Sequence, residues 1–513
     1  MFLFYMVMYI IFFFFFFLFF FDSFILSYNL FSLMQIDLNL IFWFDKISLM
    51  FGLIVCLISM SILLFSNFYM GNLMDKKFYF LMFLFIMSML ILIFSGNLIM
   101  MILGWDGLGI VSFILVIYYK NKISLQSGIL TILMNRFGDV AMIAFISLTM
   151  YNSMNMINMM LDSLMIMLLM LGCITKSAQY PFSIWLPAAM TAPTPISSLV
   201  HSSTLVTAGI YLMIRFFDYL YFMNLLNILN LLGLLTMLVG GFMAIMELDM
   251  KKIVAFSTLS QLGMMIFILS VGEVEISFLH LLVHAIFKSM LFMVCGSYMY
   301  MNFGVQDGRN FNVNLKSNYI LMLFLSISCL NLMGFIFLMG FYSKDLILES
   351  LMFDSMGLMK LLFFLVGCIL TGLYTLKMYM EGMKMLNSGY LIEMSMNYKN
   401  YIFMFLILFV IISFMGLVME EMLIMDLLFS LNQDLKFIDL MIILISVFLW
   451  ILNQKYSMIT NYLMMEFFYL SFLLKFFSMI YMKLSIYLNK TLDLWVELIE
   501  SDLFWSILIF KKY

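Results

Sequence analysis

Residues 174–209 read ITKSAQYPFSIWLPAAMTAPTPISSLVHSSTLVTAG, and all four prolines of the chain, Pro181, Pro187, Pro193 and Pro195, fall inside them. Lys176 ends an apolar run just before the first proline, and His201 follows in the next apolar segment beside Ser202, Ser203 and Thr204. Proline lacks a backbone N–H and its ring clashes with the preceding turn, so Pro181 and Pro187 interrupt a helix and free its carbonyls. At membrane depth, backbone outside a helix is tolerated only where protein buries it or where it lines a wet cavity. The stretch therefore reads as a broken membrane helix holding a buried cation, with hydroxyls near His201 that could hold water. A kinked helix with a snorkelling Lys176 is the plainer alternative, and the concentration of every proline here argues against it.

The rest of the chain fits a membrane setting. Of 513 residues, 25 are Lys or Arg and 28 are Asp or Glu. That is 10% charged, against about 25% in a soluble domain. Hydrophobic residues make up 66%, and the mean hydropathy is +1.13. Polar surface is too scarce for a soluble globular fold. The apolar runs are long and unbroken, whereas a transmembrane β-barrel needs short alternating segments. The fold class is an all-α polytopic membrane protein, with roughly 14–15 transmembrane helices at about 20 residues each.

The net charge of −3 offers no basic surface to nucleic acid. Cys56, Cys173, Cys295, Cys329 and Cys368 stand singly in apolar runs. That spacing disfavours iron–sulfur clusters, structural zinc and a disulfide framework. Neither a dinucleotide fingerprint nor a phosphate-binding loop is present.

Met and Phe each occur 59 times, whereas Arg and His occur three times each. Residues with A/T-rich codons are in excess, and so much Met is easiest to reach under a code with two Met codons. This points to a mitochondrial genome under A+T pressure; an A+T-rich bacterium is the alternative. No basic amphipathic leader precedes the first apolar span, which fits synthesis inside the organelle. The bias also acts as a filter. His201, His280, His284, Arg136 and Arg215 persist against it, all in apolar segments.

Apolar spans are expected at 3–21, 46–66, 79–95, 98–118, 128–149, 161–180, 196–217, 225–246, 252–271, 276–299, 319–341, 359–380, 401–420 and 437–452. The piece at 346–353 is too short to cross alone and continues a helix that begins near 330. Alternation at 35–41 (QIDLNLI) predicts a short β-hairpin outside the bilayer. The longest polar loops are 302–318 and 384–400, too short for a soluble domain. From 456 to 513 the charges Glu466, Lys475, Lys483, Lys490, Asp493, Glu497 and Glu500 recur at nearly helical spacing. A sparse charged stripe with a wide apolar face predicts a lateral amphipathic helix lying along a membrane or partner.

A charge at the bilayer centre costs about 2.5–3.5 kcal/mol on insertion scales, and the internal charges of this chain cluster. In GWDGLG, 104–109, Asp106 stands between small residues at the start of a span. An interfacial Asp favoured by the helix dipole is the plain alternative. In NRFGD, 135–139, Arg136 and Asp139 are three apart and can pair on one face, if only structurally. In HLLVHAIFK, 280–288, His280, His284 and Lys288 stack one turn apart, about 6 Å per step. Two histidines at this spacing suit a metal, but Lys288 would repel it and no acid or Cys stands near. A proton relay fits better. In GFYSKDLILES, 340–350, Lys344 and Asp345 interrupt a span that Gly340 and Ser343 would let break; a loop between two helices is the alternative.

These stretches, with DMKKIVAFSTLSQLGMM and QDGR in the same order across roughly 35–380, resemble the antiporter-like subunits of mitochondrial NADH–ubiquinone oxidoreductase (respiratory complex I), in the form of the chain 5 family. That family is similar to the large subunits of multi-subunit cation/proton antiporters. The resemblance implies two inverted repeats with broken helices and proton translocation across the mitochondrial inner membrane, coupled to NADH oxidation and ubiquinone reduction elsewhere in the complex. It implies a first half-channel acid at Asp106, its lysine at Lys176, a central histidine at His201, a second relay at His280, His284 and Lys288, and an exit lysine at Lys344. Arg136, Asp139, Pro181, Pro187 and Asp345 take supporting positions.

No cofactor or metal is expected in this chain; FMN, iron–sulfur clusters and ubiquinone would belong to other subunits. The implied partners are other complex I subunits, the neighbouring antiporter-like chain above all, and lipids including cardiolipin. The domain reading is 1–97 for the N-terminal helices and hairpin, 98–217 and 218–355 for two half-channels, 356–455 for C-terminal spans and 456–513 for a shortened lateral helix and tail.

Departures from the family are an Asp at 106 where Glu is common, one span before the hairpin where two are frequent, and a tail whose last residues, 501–513, are too few to span. The sibling chains usually carry Glu at the position of Lys344. A stand-alone cation/proton antiporter subunit shares these motifs, and a non-transporting spacer is a further competitor. Ion exchange without NADH favours the first. Unaltered pumping after removal of the buried charges favours the second.

Overall fold

The computed structural model describes residues 2–19, 23–33, 36–71, 76–151, 163–222, 225–302, 304–308, 319–335, 338–353, 358–383 and 440–451. The expected lateral helix at 456–513, the span at 401–420, the loop at 384–400 and most of the loop at 302–318 lie outside the described residues.

The chain opens with helix α1 (Phe2–Leu18) and a two-stranded hairpin, β1 (Phe24–Leu33) and β2 (Ile36–Phe44). Helices α2 (Lys46–Met70), α3 (Lys76–Ile93), α4 (Leu98–Val116), α5 (Lys122–Tyr151) and α6 (Ser163–Lys176) follow. The proline segment holds two short turns, α7 (Trp185–Ala188) and α8 (Thr194–Ile196), before α9 (Leu205–Arg215) and α10 (Phe217–Phe222). Then come α11 (Leu226–Met246), α12 (Met250–Val271), α13 (Val274–Met301), α14 (Tyr319–Met333), α15 (Met339–Phe353) and α16 (Leu358–Met383). A further apolar helix covers Leu440–Ile451.

Among the described residues, nine helices are long and apolar enough to cross a membrane. They track the apolar runs to within a few residues. In hydrocarbon each backbone N–H and C=O must be satisfied inside its own segment, so an apolar run of this length has little choice but helix.

The hairpin is longer than the alternation at 35–41 predicts. Phe24 pairs with Phe44 and Leu33 with Ile36, with an irregularity between Asn29 and Phe31. β1 lies in an aromatic stretch whose two faces are both apolar, so period two is invisible there. Two hydrogen bonds dock the hairpin. Trp43 N–H donates to the Phe94 carbonyl at 2.9 Å and Gly96 N–H to the Ile41 carbonyl at 2.7 Å. A Cβ on Gly96 would lie 2.7 Å from the Ile41 side chain, so glycine is required there.

Asp45, at the hairpin exit, accepts from Arg215 Nη1 at 2.6 Å. Arg215 Nε in turn donates to the Tyr211 hydroxyl at 2.9 Å, and Tyr211 donates to the Ile93 carbonyl at 2.9 Å. Arg215→Met is expected to loosen the hairpin by about 1.5–3 kcal/mol, the range for hydrogen bonds to charged groups. Faster amide exchange at 40–44 in the assembled protein would show it; unchanged exchange would count against this anchor.

Helices α12 and α13 form the centre. In their most apolar windows 100% and 94% of residues are buried, against 39% in α5. His280, His284 and Lys288 of α13 are therefore surrounded by protein rather than by lipid. Helices α11 and α12 cross at close range through Gly233 and Gly240 on one and Gly263 on the other. A Cβ on Gly263 would lie 2.5 Å from Met237 N, and one on Gly240 would lie 2.8 Å from Ser260 N. Small residues let two helix backbones approach in this way.

Candidate functional site

Two helix breaks organise the buried charges, and both use the same backbone device. At the end of α6, Ala178 takes a left-handed φ of 54°. Its N–H donates to the Thr175 carbonyl at 3.4 Å, and Gln179 N–H donates to the Ile174 carbonyl at 3.1 Å. This is the paired ending of a Schellman motif. Pro181 then prevents the helix from resuming. At the end of α14, Gly334 has φ 81°. Its N–H donates to Asn331 O at 3.2 Å and Phe335 N–H to Leu330 O at 3.0 Å.

The second break is therefore at Gly334 and not at Gly340 and Ser343, where the sequence reading put it. Gly340 lies inside α15, where a Cβ would sit 1.9 Å from the Asn331 carbonyl, so its role is close packing. The 346–353 piece is the C-terminal part of α15, which begins at Met339.

Lys176, in the last turn of α6, is 0% exposed. Its Nζ donates to the Trp105 carbonyl and lies 3.8 Å from the centroid of the Trp105 ring. The same indole donates through Nε1 to Asp139 Oδ1 at 2.9 Å. Asp139 Oδ2 pairs with Arg136 at 3.4 Å. Trp105 thus stands between Lys176 and the carboxylate of α5, touching both.

Asp106 sits in the third turn of α4, not at the start of its span, and is half-buried. Among the described residues it forms no ion pair within 4.0 Å. Its small neighbours serve packing: a Cβ on Gly104 would lie 2.8 Å from Leu92 N in α3.

His201 lies in a π-helical stretch, Ser197–Thr204, wholly buried. Its ring faces Trp185 at 6.0 Å, and neither ring nitrogen has a hydrogen-bond partner among the described residues. The hydroxyls beside it spend their protons on backbone carbonyls and keep their oxygens as acceptors. Thr204 donates to the Leu199 carbonyl at 2.7 Å, Ser203 to the same carbonyl at 3.2 Å, and Ser202 to the Ser198 carbonyl. A π stretch leaves carbonyls without their usual partner, and Ser and Thr hydroxyls take them.

The second half is more connected. Lys288, 0% exposed, donates to Ser257 Oγ of α12 at 2.6 Å. His280 Nε2 meets Gln261 Oε1 at 3.1 Å, and its Nδ1 meets Ser343 Oγ at 3.0 Å. His284 lies between them on α13, its ring 6.5 Å from that of His280. Lys344 Nζ donates to the Leu332 carbonyl in the last turn of α14 and to Thr371 Oγ1 of α16 at 3.4 Å. Asp345, next to it, is half-buried. Lys176 ends α6, and the ammonium of Lys344, a residue of α15, reaches the last turn of α14; the backbone dipole at a helix C-terminus favours a cation.

The structure brings His280 and Ser343 together across 63 residues, and Lys176 and Trp105 across 71. It does not bring Asp106 into contact with Lys176. Sequence reasoning missed Trp105, Ser257, Ser260, Gln261, Thr371, Tyr374 and Lys251. Lys251 is buried and donates to the Ala192 carbonyl of the proline segment at 3.3 Å. Ser257, Ser260 and Gln261 recur three and four apart within STLSQ, a polar stripe at helical spacing that could have found them. Thr371 and Tyr374, with Thr375, recur three and four apart in the same way. Among the described residues no group of three His, Cys, Asp or Glu could hold a metal ion.

Comparison with known proteins places this arrangement. The chain is 44% identical over 369 residues to NADH-ubiquinone oxidoreductase chain 5 of Anopheles gambiae, covering 69% of this chain and 63% of the relative. It is 46% identical over 343 residues to that of Anopheles arabiensis, covering 64% of this chain and 88% of the relative. The chain thus spans about 63% of the length of the first of these. The fold matches a chain in the solved Mrp complex from Dietzia sp. DQ12-45-1b with a TM-score of 0.77 at 20% identity, over 93% of this chain and 56% of that one. Residues 95–371, more than half of the sequence, match the NADH:quinone oxidoreductase/Mrp antiporter transmembrane family, and the chain belongs to that family.

Proposed function

We propose that the chain works as a chain-5-type, antiporter-like subunit of mitochondrial NADH–ubiquinone oxidoreductase and moves protons across the inner mitochondrial membrane. The observation that carries this reading is a set of buried protonatable side chains, with Lys176 and Lys344 at two matching helix breaks and Lys288 within α13, each lysine held by a carbonyl or hydroxyl from another helix. At about 2.5–3.5 kcal/mol per buried charge, an inert spacer would gain from losing them.

Lys176 holds its proton against the Trp105 carbonyl and ring face, with Asp139 and Asp106 supplying the compensating field. Moving a carboxylate away from a buried ammonium removes that compensation and favours release of the proton. His201, then Lys288, His284 and His280, then Lys344 continue the route, with water between the groups. Residues 98–217 and 218–355 are the two half-channels in this reading. Asp106 acts in the first as a mobile field rather than as a fixed partner. NADH oxidation and ubiquinone reduction, with FMN and iron–sulfur clusters, belong to other subunits, whose changes drive the proton steps. The partners are those subunits, the neighbouring antiporter-like chain first, and membrane lipid including cardiolipin.

Mildly solubilised source membranes run on a native gel test the assignment. The chain, identified by mass, is expected in the largest band that stains for NADH dehydrogenase activity. Migration in a small band without that activity, together with ion exchange in the absence of NADH, would replace this reading with a stand-alone cation/proton antiporter.

A further inference from the structure

Helix α12 carries a hydrogen-bonded chain whose direction is set from one end. The Ser257 carbonyl can only accept, and Ser260 Oγ donates to it at 3.0 Å. The single hydroxyl proton of Ser260 is then committed. Ser260 Oγ must accept from the Tyr374 hydroxyl, 3.1 Å away on α16. That commits the proton of Tyr374, so its oxygen accepts from Gln261 Nε2 at 3.1 Å. With its NH2 turned to Tyr374, Gln261 presents Oε1 to His280 Nε2 at 3.1 Å. An amide oxygen can only accept, so Nε2 must carry the hydrogen. The lone pair of the neutral ring is left on Nδ1, and Ser343 Oγ, which lies 3.0 Å from Nδ1 and 3.3 Å from the Gly340 carbonyl, turns its one proton to the nearer acceptor, Nδ1. Ser257, Ser260, Gln261, His280, Ser343 and Tyr374 are all buried, so no step is diluted by bulk solvent.

We propose that Gln261 is a positioning residue that fixes His280 as the Nε2–H tautomer and aims its proton-accepting nitrogen at the second helix break. The inference rests on the proton-relay reading given above. A proton on its way from His280 to Lys344 leaves through Nδ1: the Nδ1–H bond of the protonated ring breaks as a bond to Ser343 Oγ forms, and Ser343 gives up its own proton to the side of the break. The Nε2 face is closed by an amide, which has no proton to give at its oxygen and no lone pair on nitrogen to take one. The branch through Tyr374 toward α16 is thereby a dead end, and protons at His280 exchange with Ser343 alone among its two direct partners.

The test compares Gln261→Met with Gln261→Glu in the assembled complex. Met fills the space but offers no acceptor. Glu keeps an oxygen for Nε2–H. A tautomer-fixing role predicts that Met lowers NADH-driven proton pumping about tenfold, while Glu stays within about threefold of the parent. A packing role predicts the reverse, since Met is then harmless and a buried carboxylate is not; that ranking would overturn the proposal.

Should Gln261→Met fail to assemble on a native gel, Tyr374→Phe decides. It removes the oxygen that orients the amide and keeps the ring. A several-fold loss of pumping is expected, and parental pumping would overturn the proposal. His280→Asn separates the two levels. Parental pumping there would remove the relay reading itself. Loss of pumping in His280→Asn beside a fully active Gln261→Met would remove only the role given to Gln261.

Discussion

Complexes carrying Lys176→Met should assemble and should pump protons at less than about a tenth of the parental rate. Met is unbranched and close in volume to the lysine stem, so the packing around α6 is kept. What disappears is the ammonium that donates to the Trp105 carbonyl and lies on its ring. Removing one partner of a buried pair is harmful when it strands the other charge. Here Asp139 keeps both the Trp105 indole and Arg136, so it is not stranded. Assembly and transport are thereby separable. Native-gel migration reports the first, and NADH-driven acidification of membrane vesicles reports the second. Parental pumping by an assembled Lys176→Met complex would dismiss Lys176 from the relay. Lys288→Met is expected to behave alike, because the partner of Lys288 among the described residues, Ser257, is neutral.

Gly263→Val should have the opposite signature: little assembled complex, and nothing specific to transport. A Cβ there would meet Thr236 Oγ1 at 2.4 Å, Met237 N at 2.5 Å and the Gly233 carbonyl at 2.8 Å. Two of the three are backbone and cannot swing aside. Overpacking a filled interior costs about 1–3 kcal/mol even when side chains can adjust. Here α11 and α12 would have to separate, and α12 is the scaffold of Ser257, Ser260 and Gln261. Gly109→Ala is the control, since a Cβ at Gly109 meets nothing within 4 Å. Equal assembly of the two variants would show that the crossing is looser than drawn.

How much of this could be read from the residues alone depends on how far apart the partners are. The helices were legible because apolar runs of that length leave the backbone no alternative in lipid. Arg136 and Asp139, three apart on one helix, were legible as a pair, and the break after Lys176 was announced by Pro181. The break at Gly334 was not, since one glycine in an apolar run says nothing of the sign of its φ.

The composition bias hid more. With 59 Met and 59 Phe spread over lipid-facing and interior positions alike, the two faces of a helix carry the same residues. Which helix neighbours which cannot then be read from periodicity. That is why Trp105 escaped notice. It looked like the aromatic flank of Asp106, and only the approach of α6 to α4 makes it the contact of Lys176. The strand Phe24–Leu33 was hidden for the same reason.

The two helix breaks differ in one atom that sets their mechanics. Gly334 adopts its left-handed conformation freely, whereas Ala178 does so with a Cβ pressed against the chain, at about 1–2 kcal/mol. The second break is held by its own two hydrogen bonds without a Cβ penalty. The first is a loaded spring, held by its two motif hydrogen bonds and by Gln179, whose side chain is tied to Ser177 and to Thr236 of α11. The half of the molecule that contains Lys176 thus stores elastic energy that the half containing Lys344 does not.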